Sequence, residues 1–337
     1  MKFGQVPVGD AGGAILAHSL QVTGEGPKPR KIAKGTELGP QDLKDLLADG
    51  VASVTVARLE PGDIHENDAA LALAQALVPD PEGQRIRITG AGAGRVNLYA
   101  TSCGVVKLDR ARIEAVNAVD PMITIATVPS FHRVDADGMI ATIKIIAYAV
   151  DGEALERAGQ GAGGSIRVTA PIYPSATLIE TITTPEEPSV KGRNAMAGRL
   201  DRMGMALSER VIVPHRQDEL AQAVAEAPGE VIFILTGSAT SDPLDVAPEA
   251  VRQAGGTVTR FGMPVDPGNL LFIGQIGEKP VIGLPGCARS PALNGADWVL
   301  ERVICGIEVT GADIAGMGVG GLLKEIPTRP QPRAAKA

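Results

Sequence analysis

Short apolar runs separated by turns fill the chain up to Leu59. Lys34-Gly35-Thr36 reads as a turn, and Leu43, Leu46 and Leu47 recur at helical spacing before Gly50 closes that helix. Val51 to Leu59 is rich in β-formers. A second helix is predicted from Asp68 to Leu77, with Pro79-Asp80-Pro81 breaking it. A strand from Arg85 to Thr89 leads into Gly90-Ala91-Gly92-Ala93-Gly94, and Met139 to Val150 reads as one buried strand. From 151 to 164 a short polar helix gives way to Gly159-Gln160-Gly161-Ala162-Gly163-Gly164, a stretch of linker composition.

Beyond it the rhythm changes. A strand at 176–182 precedes a helix whose Met196, Leu200, Met203 and Leu207 are spaced four, three and four apart. Strand Arg210 to Val213 follows, then a helix with Leu220, Val224 and Ala227 on one face. Val231 to Leu235 is wholly apolar, the pattern of a strand covered on both sheet faces. A helix, two strands and a last helix carrying Ala292, Leu293, Ala296, Val299, Leu300 and Val303 complete the series.

This alternation predicts an α/β fold in the second half: a three-layer, mostly parallel sheet with helices on both faces. A smaller mixed α+β accessory region is expected over 1–150, the α/β domain over 165–310, and a Gly- and Pro-rich tail over 311–337. Gly316-Met317-Gly318-Val319-Gly320-Gly321 reads as a flexible turn before that tail, which is basic and loosely ordered beyond Lys324.

Composition narrows the function. The 337 residues are 44% hydrophobic but only 3% aromatic, and the formal net charge is −7. Few aromatics and a negative balance argue against a nucleic-acid partner. Backbone amides nevertheless hold a small anion without net positive charge. Cys103, Cys287 and Cys305 are too few and scattered for a disulfide framework or a zinc site. No apolar run approaches the roughly 20 residues of a membrane span, and Met1 to Asp10 lacks a signal-peptide pattern. A reduced cytoplasmic setting is expected.

Ligands on open parallel sheets sit at the carboxyl ends of strands, near helix N-termini. Two segments fit. One is Leu235-Thr236-Gly237-Ser238-Ala239-Thr240-Ser241-Asp242-Pro243-Leu244-Asp245; the other is Leu284-Pro285-Gly286-Cys287-Ala288-Arg289-Ser290-Pro291. Their small residues permit close backbone approach. Local pattern equally fits two plain helix starts, one with Asp242 as N-cap, Pro243 in the first turn and Asp245 at N3, the other at Ser290-Pro291.

The stretch from Thr236-Gly237 through Asp245-Val246-Ala247-Pro248-Glu249-Ala250 resembles the signature of the molybdopterin-binding α/β family, which includes molybdopterin adenylyltransferases and molybdotransferases. Leu284-Pro285-Gly286 and its small-residue turn are similar to the L-P-G-N-P loop of the molybdotransferases. Gly255-Gly256 through Gly262-Met263-Pro264-Val265-Asp266-Pro267-Gly268-Asn269 stands where their stretch leading to P-G-K-P would be. The resemblance covers roughly 170–306, and more loosely 32–58. Ser238 and Thr240 replace two glycines of T-G-G-T-G, Cys287 and Ala288 replace Asn and Pro, and Asn269 replaces Lys. The family's T-G-D-E-type loop survives only as Leu178-Ile179-Glu180-Thr181.

The resemblance implies binding of molybdopterin or the molybdenum cofactor by Thr236, Gly237, Ser238, Ala239, Thr240, Ser241, Asp242, Pro285, Gly286, Cys287, Ala288, Arg289 and Ser290. It implies a role in cofactor biosynthesis, with two forms open. One is Mg²⁺-dependent nucleotidyl or molybdate transfer, in which Asp245 is the catalytic residue and metal ligand. The other is a non-catalytic carrier serving a separate nucleotidyltransferase. Homo-oligomers are usual in the family.

Other signals are weaker. Gly90-Ala91-Gly92-Ala93-Gly94-Arg95 has Arg95 where a dinucleotide loop needs its third glycine, so it reads as a turn. Asp63, His65, Glu66 and Asp68 read as a solvated helix start rather than a cation site.

Overall fold

The computed structural model describes residues 1–23 and 28–325. Its contacts divide the chain into two units, Met1–Ser102 with Val106–Val168, and Cys103–Val105 with Thr169–Ala337. The basic stretch from 326 onward, read as a loose tail, lies outside the described residues.

The first unit contains several small sheets, among them antiparallel ones. Strands Lys2–Pro7 and Ile15–Leu16 flank Ser53–Arg58. Helix Pro40–Ala48 adds Leu46 to a core of Val8, Leu16, Leu38, Val54 and Val56. Gly50 follows it with φ +72°, a left-handed conformation suited to glycine. A second core forms where helix Glu66–Leu77 packs Ala70, Leu73 and Ala74 with Val96, Leu98, Ile143 and Ile145 from a four-stranded antiparallel sheet.

Two expectations for this unit change. Met139 to Val150 is not one strand. Met139–Ile145 pairs with Arg95–Ala100, whereas Ala149–Asp151 pairs with Asp63–His65. Ile146 between them is 54% exposed, so the chain leaves the sheet there. The glycine-rich 159–164 segment is not a free linker either. Helix Gly152–Gly159 is capped by Asp151, and Ala158 and Ala162 are buried in the second core.

In the second unit we number the elements β1 (Ser175–Ile182), α1 (Lys191–Asp201), β2 (Ala206–Leu207), β3 (Val211–Pro214), α2 (Gln217–Glu226), β4 (Val231–Leu235), α3 (Val246–Gln253), β5 (Thr257–Phe261), β6 (Phe272–Ile276), β7 (Lys279–Gly283), α4 (Gly295–Ile304) and α5 (Gly311–Gly316). They form a seven-stranded sheet ordered β2-β1-β4-β7-β6-β5, with β3 also beside β1. β1 is parallel to β2, β3 and β4, and β4 to β7. β6 runs antiparallel to both β7 and β5. The sheet is therefore mixed, parallel only in part. Only Gly277 and Glu278 separate β6 from β7, too short a connection for a parallel crossover.

β4 explains its own composition. Val231, Phe233 and Leu235 pack in one core with Met196 and Leu200 of α1 and Val299 and Leu300 of α4. Ile232 and Ile234 pack in another with Leu220 and Val224 of α2 and Ala247 and Val251 of α3. Alternate side chains of a strand point to opposite faces, so burial on both demands an unbroken apolar run.

Helix ends differ from the periodic pattern. α1 stops at Asp201; Gly204 has φ +68°, and Leu207 belongs to β2. α4 begins at Gly295, not at Ser290-Pro291. Asn294 caps it and forms a reciprocal capping box with Asp297. The segment from 311 to 323 is packed on this unit. Ile314, Met317 and Leu323 are buried in the core under α1 and α4, and Asp266 exchanges backbone hydrogen bonds with Gly321 and Leu323.

Candidate functional site

The two candidate loops follow β4 and β7, which are hydrogen-bonded neighbours, so both emerge at the same end of the sheet. The β4 loop begins with buried Thr236. Gly237, Ser238, Ala239, Ser241 and Asp242 are exposed, while Thr240 is buried with its hydroxyl 3.4 Å from that of Thr236. Gly237 N–H donates to Thr181 Oγ1 on β1 at 2.8 Å. A Cβ at 237 would stand 2.6 Å from the Thr181 carbonyl oxygen, so only glycine permits this approach.

Asp245, not Asp242, is the N-cap of α3. Its Oδ1 accepts from Val246 N–H at 2.7 Å and its Oδ2 from Ser241 N–H at 2.9 Å. Asp242 instead accepts from Leu244 N–H at 2.8 Å, closing a turn one step earlier. The sequence pattern puts the cap at Asp242; the backbone makes a turn before the helix, and this moves the cap to Asp245. No group of three or more His, Cys, Asp or Glu able to hold a metal occurs among the described residues.

The β7 loop carries a short 3₁₀ turn, Gly286–Arg289. Pro285 and Ala288 are buried, Cys287 is half-buried, and Gly286, Arg289 and Ser290 are exposed. Arg289 joins the loops, its Nη2 donating to the Thr236 carbonyl at 2.6 Å. It makes no ion pair with a carboxylate among the described residues. α1 packs against this junction, since a Cβ on Gly192 would meet Leu235 Cδ2 at 3.0 Å and Arg289 Cγ at 3.2 Å.

Beneath the β7 loop lies buried Arg199. It pairs with buried Asp297 at 2.5 Å and donates to the carbonyls of Ala288 at 3.0 Å and Ser290 at 2.8 Å. Asp297 Oδ2 in turn accepts from Asn294 N–H at 2.8 Å. One arginine thus holds the loop and, through Asp297, the start of α4. Sequence reading missed Arg199, for its spacing on α1 looks like that of any surface cation.

Donors remain for a ligand. The backbone N–H groups of Ser238, Ala239 and Thr240 form no hydrogen bond among the described residues, and Arg289 uses one of its five donors. By contrast, the start of α4 is closed. Gly295 N–H donates to the Pro267 carbonyl, Ala296 N–H to Asn294 Oδ1 and Asp297 N–H to the Asn294 carbonyl. The β4 loop thus carries three successive backbone donors with no acceptor among the described residues, beside a guanidinium with spare donors.

Residues 191–303 match the family described as "Probable molybdopterin binding domain". Both candidate loops lie inside the match. Residues 5–58 match a domain of unknown function, and no curated protein matches the chain. Solved structures similar to it include a molybdopterin biosynthesis MoeA protein from Pyrococcus horikosii (14% identity, 90% of this chain and 75% of that one, TM-score 0.32). A molybdenum cofactor biosynthesis protein B is 18% identical over 40% of this chain and 88% of that one, with TM-score 0.28. A molybdenum cofactor biosynthesis protein from Pyrococcus furiosus is 14% identical over 91% and 66%, with TM-score 0.24.

The remaining sequence signals resolve simply. Gly90–Gly94 is a turn: Gly94 has φ +67°, and Gly92 and Arg95 form a bridge. Asp63 accepts from the Met1 ammonium at 2.7 Å, Glu66 pairs with Lys144, and His65 caps helix Glu66–Leu77. Cys305 is buried, and burial pushes its thiol up to about 12. Among the described residues no helix is long and apolar enough to cross a membrane.

Proposed function

We propose that the second unit binds molybdopterin across the loops 236–245 and 284–290, and that the protein takes part in biosynthesis or maturation of the molybdenum cofactor. The observation that carries this reading is the match of 191–303 to a probable molybdopterin binding domain, with both loops inside it. The residues fit a phosphate-bearing ligand. Amides 238–240 are donors without acceptors among the described residues, the Ser238 and Ser241 side chains are exposed beside them, and Arg289 adds a fixed positive charge. This reading gives Thr236 and Gly237 the floor, Asp242 the rim, and Pro285, Gly286, Cys287, Ala288 and Ser290 the opposite wall.

The metal chemistry belongs to the cofactor; the chain binds and orients it. In the transfer reading Asp245 takes a Mg²⁺ ion that neutralises phosphate charge. It would do so with the lone pairs left after two backbone hydrogen bonds, water completing the shell as is usual for Mg²⁺. That double engagement favours the second reading, a carrier that presents molybdopterin to a separate nucleotidyltransferase. A cytoplasmic homo-oligomer suits either.

Anaerobic incubation of the full chain with molybdopterin, molybdate, Mg²⁺ and ATP or CTP, followed by mass spectrometry, tests both. A nucleotide or molybdenum adduct supports the transferase, and retained but unchanged pterin supports the carrier. Failure to retain pterin ends the proposal.

A further inference from the structure

Three neighbouring strand ends are joined by one hydroxyl. Thr181 on β1 is 1% exposed, and β1 lies between β3 and β4. Its Oγ1 accepts the Gly237 N–H from beyond β4 at 2.8 Å and lies 2.8 Å from Nδ1 of His215, the residue after β3. His215 is itself hung from β1, its N–H donating to the Ile182 carbonyl at 2.7 Å.

A threonine hydroxyl has one proton and two lone pairs. Gly237 N–H is a donor only, so it must meet a lone pair. That leaves the hydroxyl its proton and a second lone pair; in the tautomer with the ring proton on Nε2, His215 Nδ1 accepts the hydroxyl proton. Without that partner the bond from Gly237 N–H alone restrains the rotation of the hydroxyl. Gly237 immediately precedes Ser238, Ala239 and Thr240, whose amides the pterin-binding reading assigns to the ligand.

We propose that His215 is a positioning residue for the ligand loop: by accepting the Thr181 hydroxyl proton it holds a lone pair on Gly237 N–H and so sets the direction of amides 238–240. This rests on the pterin-binding reading of that loop. A histidine that merely fills space would pack without deciding which way the hydroxyl points. Asparagine distinguishes the two roles, because its side-chain oxygen sits near the position of Nδ1 and accepts the same proton.

The experiment uses the full chain as wild type, His215→Ala, His215→Asn, Thr181→Val and the His215→Ala/Thr181→Val double variant. Retention is read by titration with molybdopterin, and the Gly237 amide is followed by NMR hydrogen exchange without ligand. His215→Ala should weaken binding about fivefold, the worth of one ordinary hydrogen bond, and speed Gly237 exchange. His215→Asn should restore both. On the Thr181→Val background His215→Ala should add nothing, because the two act as one unit. Wild-type affinity and exchange in His215→Ala would overturn the inference. So would an alanine defect that asparagine leaves uncorrected at an unchanged thermal midpoint. Should the wild type itself fail to bind pterin, the ligand assignment falls, and the exchange measurements still decide the relay.

Discussion

Arg289 of the β7 loop donates its Nη2 hydrogen to the carbonyl oxygen of Thr236 in the β4 loop at 2.6 Å. The two loops are therefore one surface, held by a side chain that keeps spare donors. It bonds a neutral carbonyl and, among the described residues, no carboxylate.

Arg289→Ala removes both the tie and the charge. Pterin binding by titration should weaken about tenfold or more, since hydrogen bonds to charged groups contribute roughly 1.5–3 kcal/mol. Arg289→Lys should recover part of this, as a point charge lacks the planar fork. Equal affinities in all three proteins would mean that the backbone alone holds the ligand.

Asp245 separates capping from catalysis. Asp245→Ala leaves Val246 and Ser241 N–H without their acceptor and should cost about 1 kcal/mol in urea unfolding. Asp245→Asn keeps one accepting oxygen and so one of the two bonds, and should unfold between the wild type and Asp245→Ala. If Asp245 serves a Mg²⁺-dependent transfer, Asp245→Asn should still abolish it; full turnover in that variant would leave only the cap.

Arg199 should be the most sensitive residue under the β7 loop. Arg199→Met strands Asp297 in the core and releases the carbonyls of Ala288 and Ser290. Breaking a buried pair from one side costs about 3–5 kcal/mol. Arg199→Met/Asp297→Leu, which removes both charges, should be milder. A shift under about 1 kcal/mol for the single change would show that the pair is not sealed from water.

Much of the second unit was legible because its pattern is local. Val231–Leu235 forms as read, since an apolar strand needs no distant partner to be recognised. The α1 pattern misled because Met203 and Leu207 continue the helical spacing past Gly204, whose φ of +68° ends it. The cap of α3 falls at Asp245 and not at the expected Asp242, because Asp242 closes a turn before the helix. Arg199 and Asp297 are 98 positions apart, and no window of sequence joins them. The Thr181–His215 contact depends on the register of β1 against β3, where Thr181 faces Val213. Thr181 was noticed only as the remnant of an acidic loop.

Thiol chemistry should divide the cysteines. Cys305 is buried and its thiol is pushed up to about 12, so at pH 8 almost none is the reactive thiolate. Cys287 is half-buried on the β7 loop. Brief iodoacetamide treatment of the folded protein, mapped by peptide mass spectrometry, should label Cys287 and spare Cys305. Prior saturation with molybdopterin should slow labelling of Cys287. Labelling of Cys305 at the Cys287 rate would contradict its burial, and unchanged Cys287 labelling would move the ligand off that wall.

Gly237→Ala tests the floor of the site. The added Cβ would lie 2.6 Å from the Thr181 carbonyl oxygen and 3.3 Å from Ile182 Cα. Both are backbone atoms of a strand paired with β3 and β4, so neither moves aside easily. The β4 loop must lift instead, which stretches the Gly237 N–H bond to Thr181 and carries Thr236 away from Arg289. Overpacking of this kind costs about 1–3 kcal/mol. Loss of binding should exceed what that cost alone explains, because the same shift turns amides 238–240 away from the ligand. The comparison is with Ala239→Gly, an exposed position where no contact is lost. Gly237→Ala should bind pterin at least about tenfold more weakly than Ala239→Gly when both are measured well below their thermal midpoints. Wild-type affinity in Gly237→Ala would mean that the loop reaches its ligand from a different base, and the floor assigned to Thr236 and Gly237 would have to be given up.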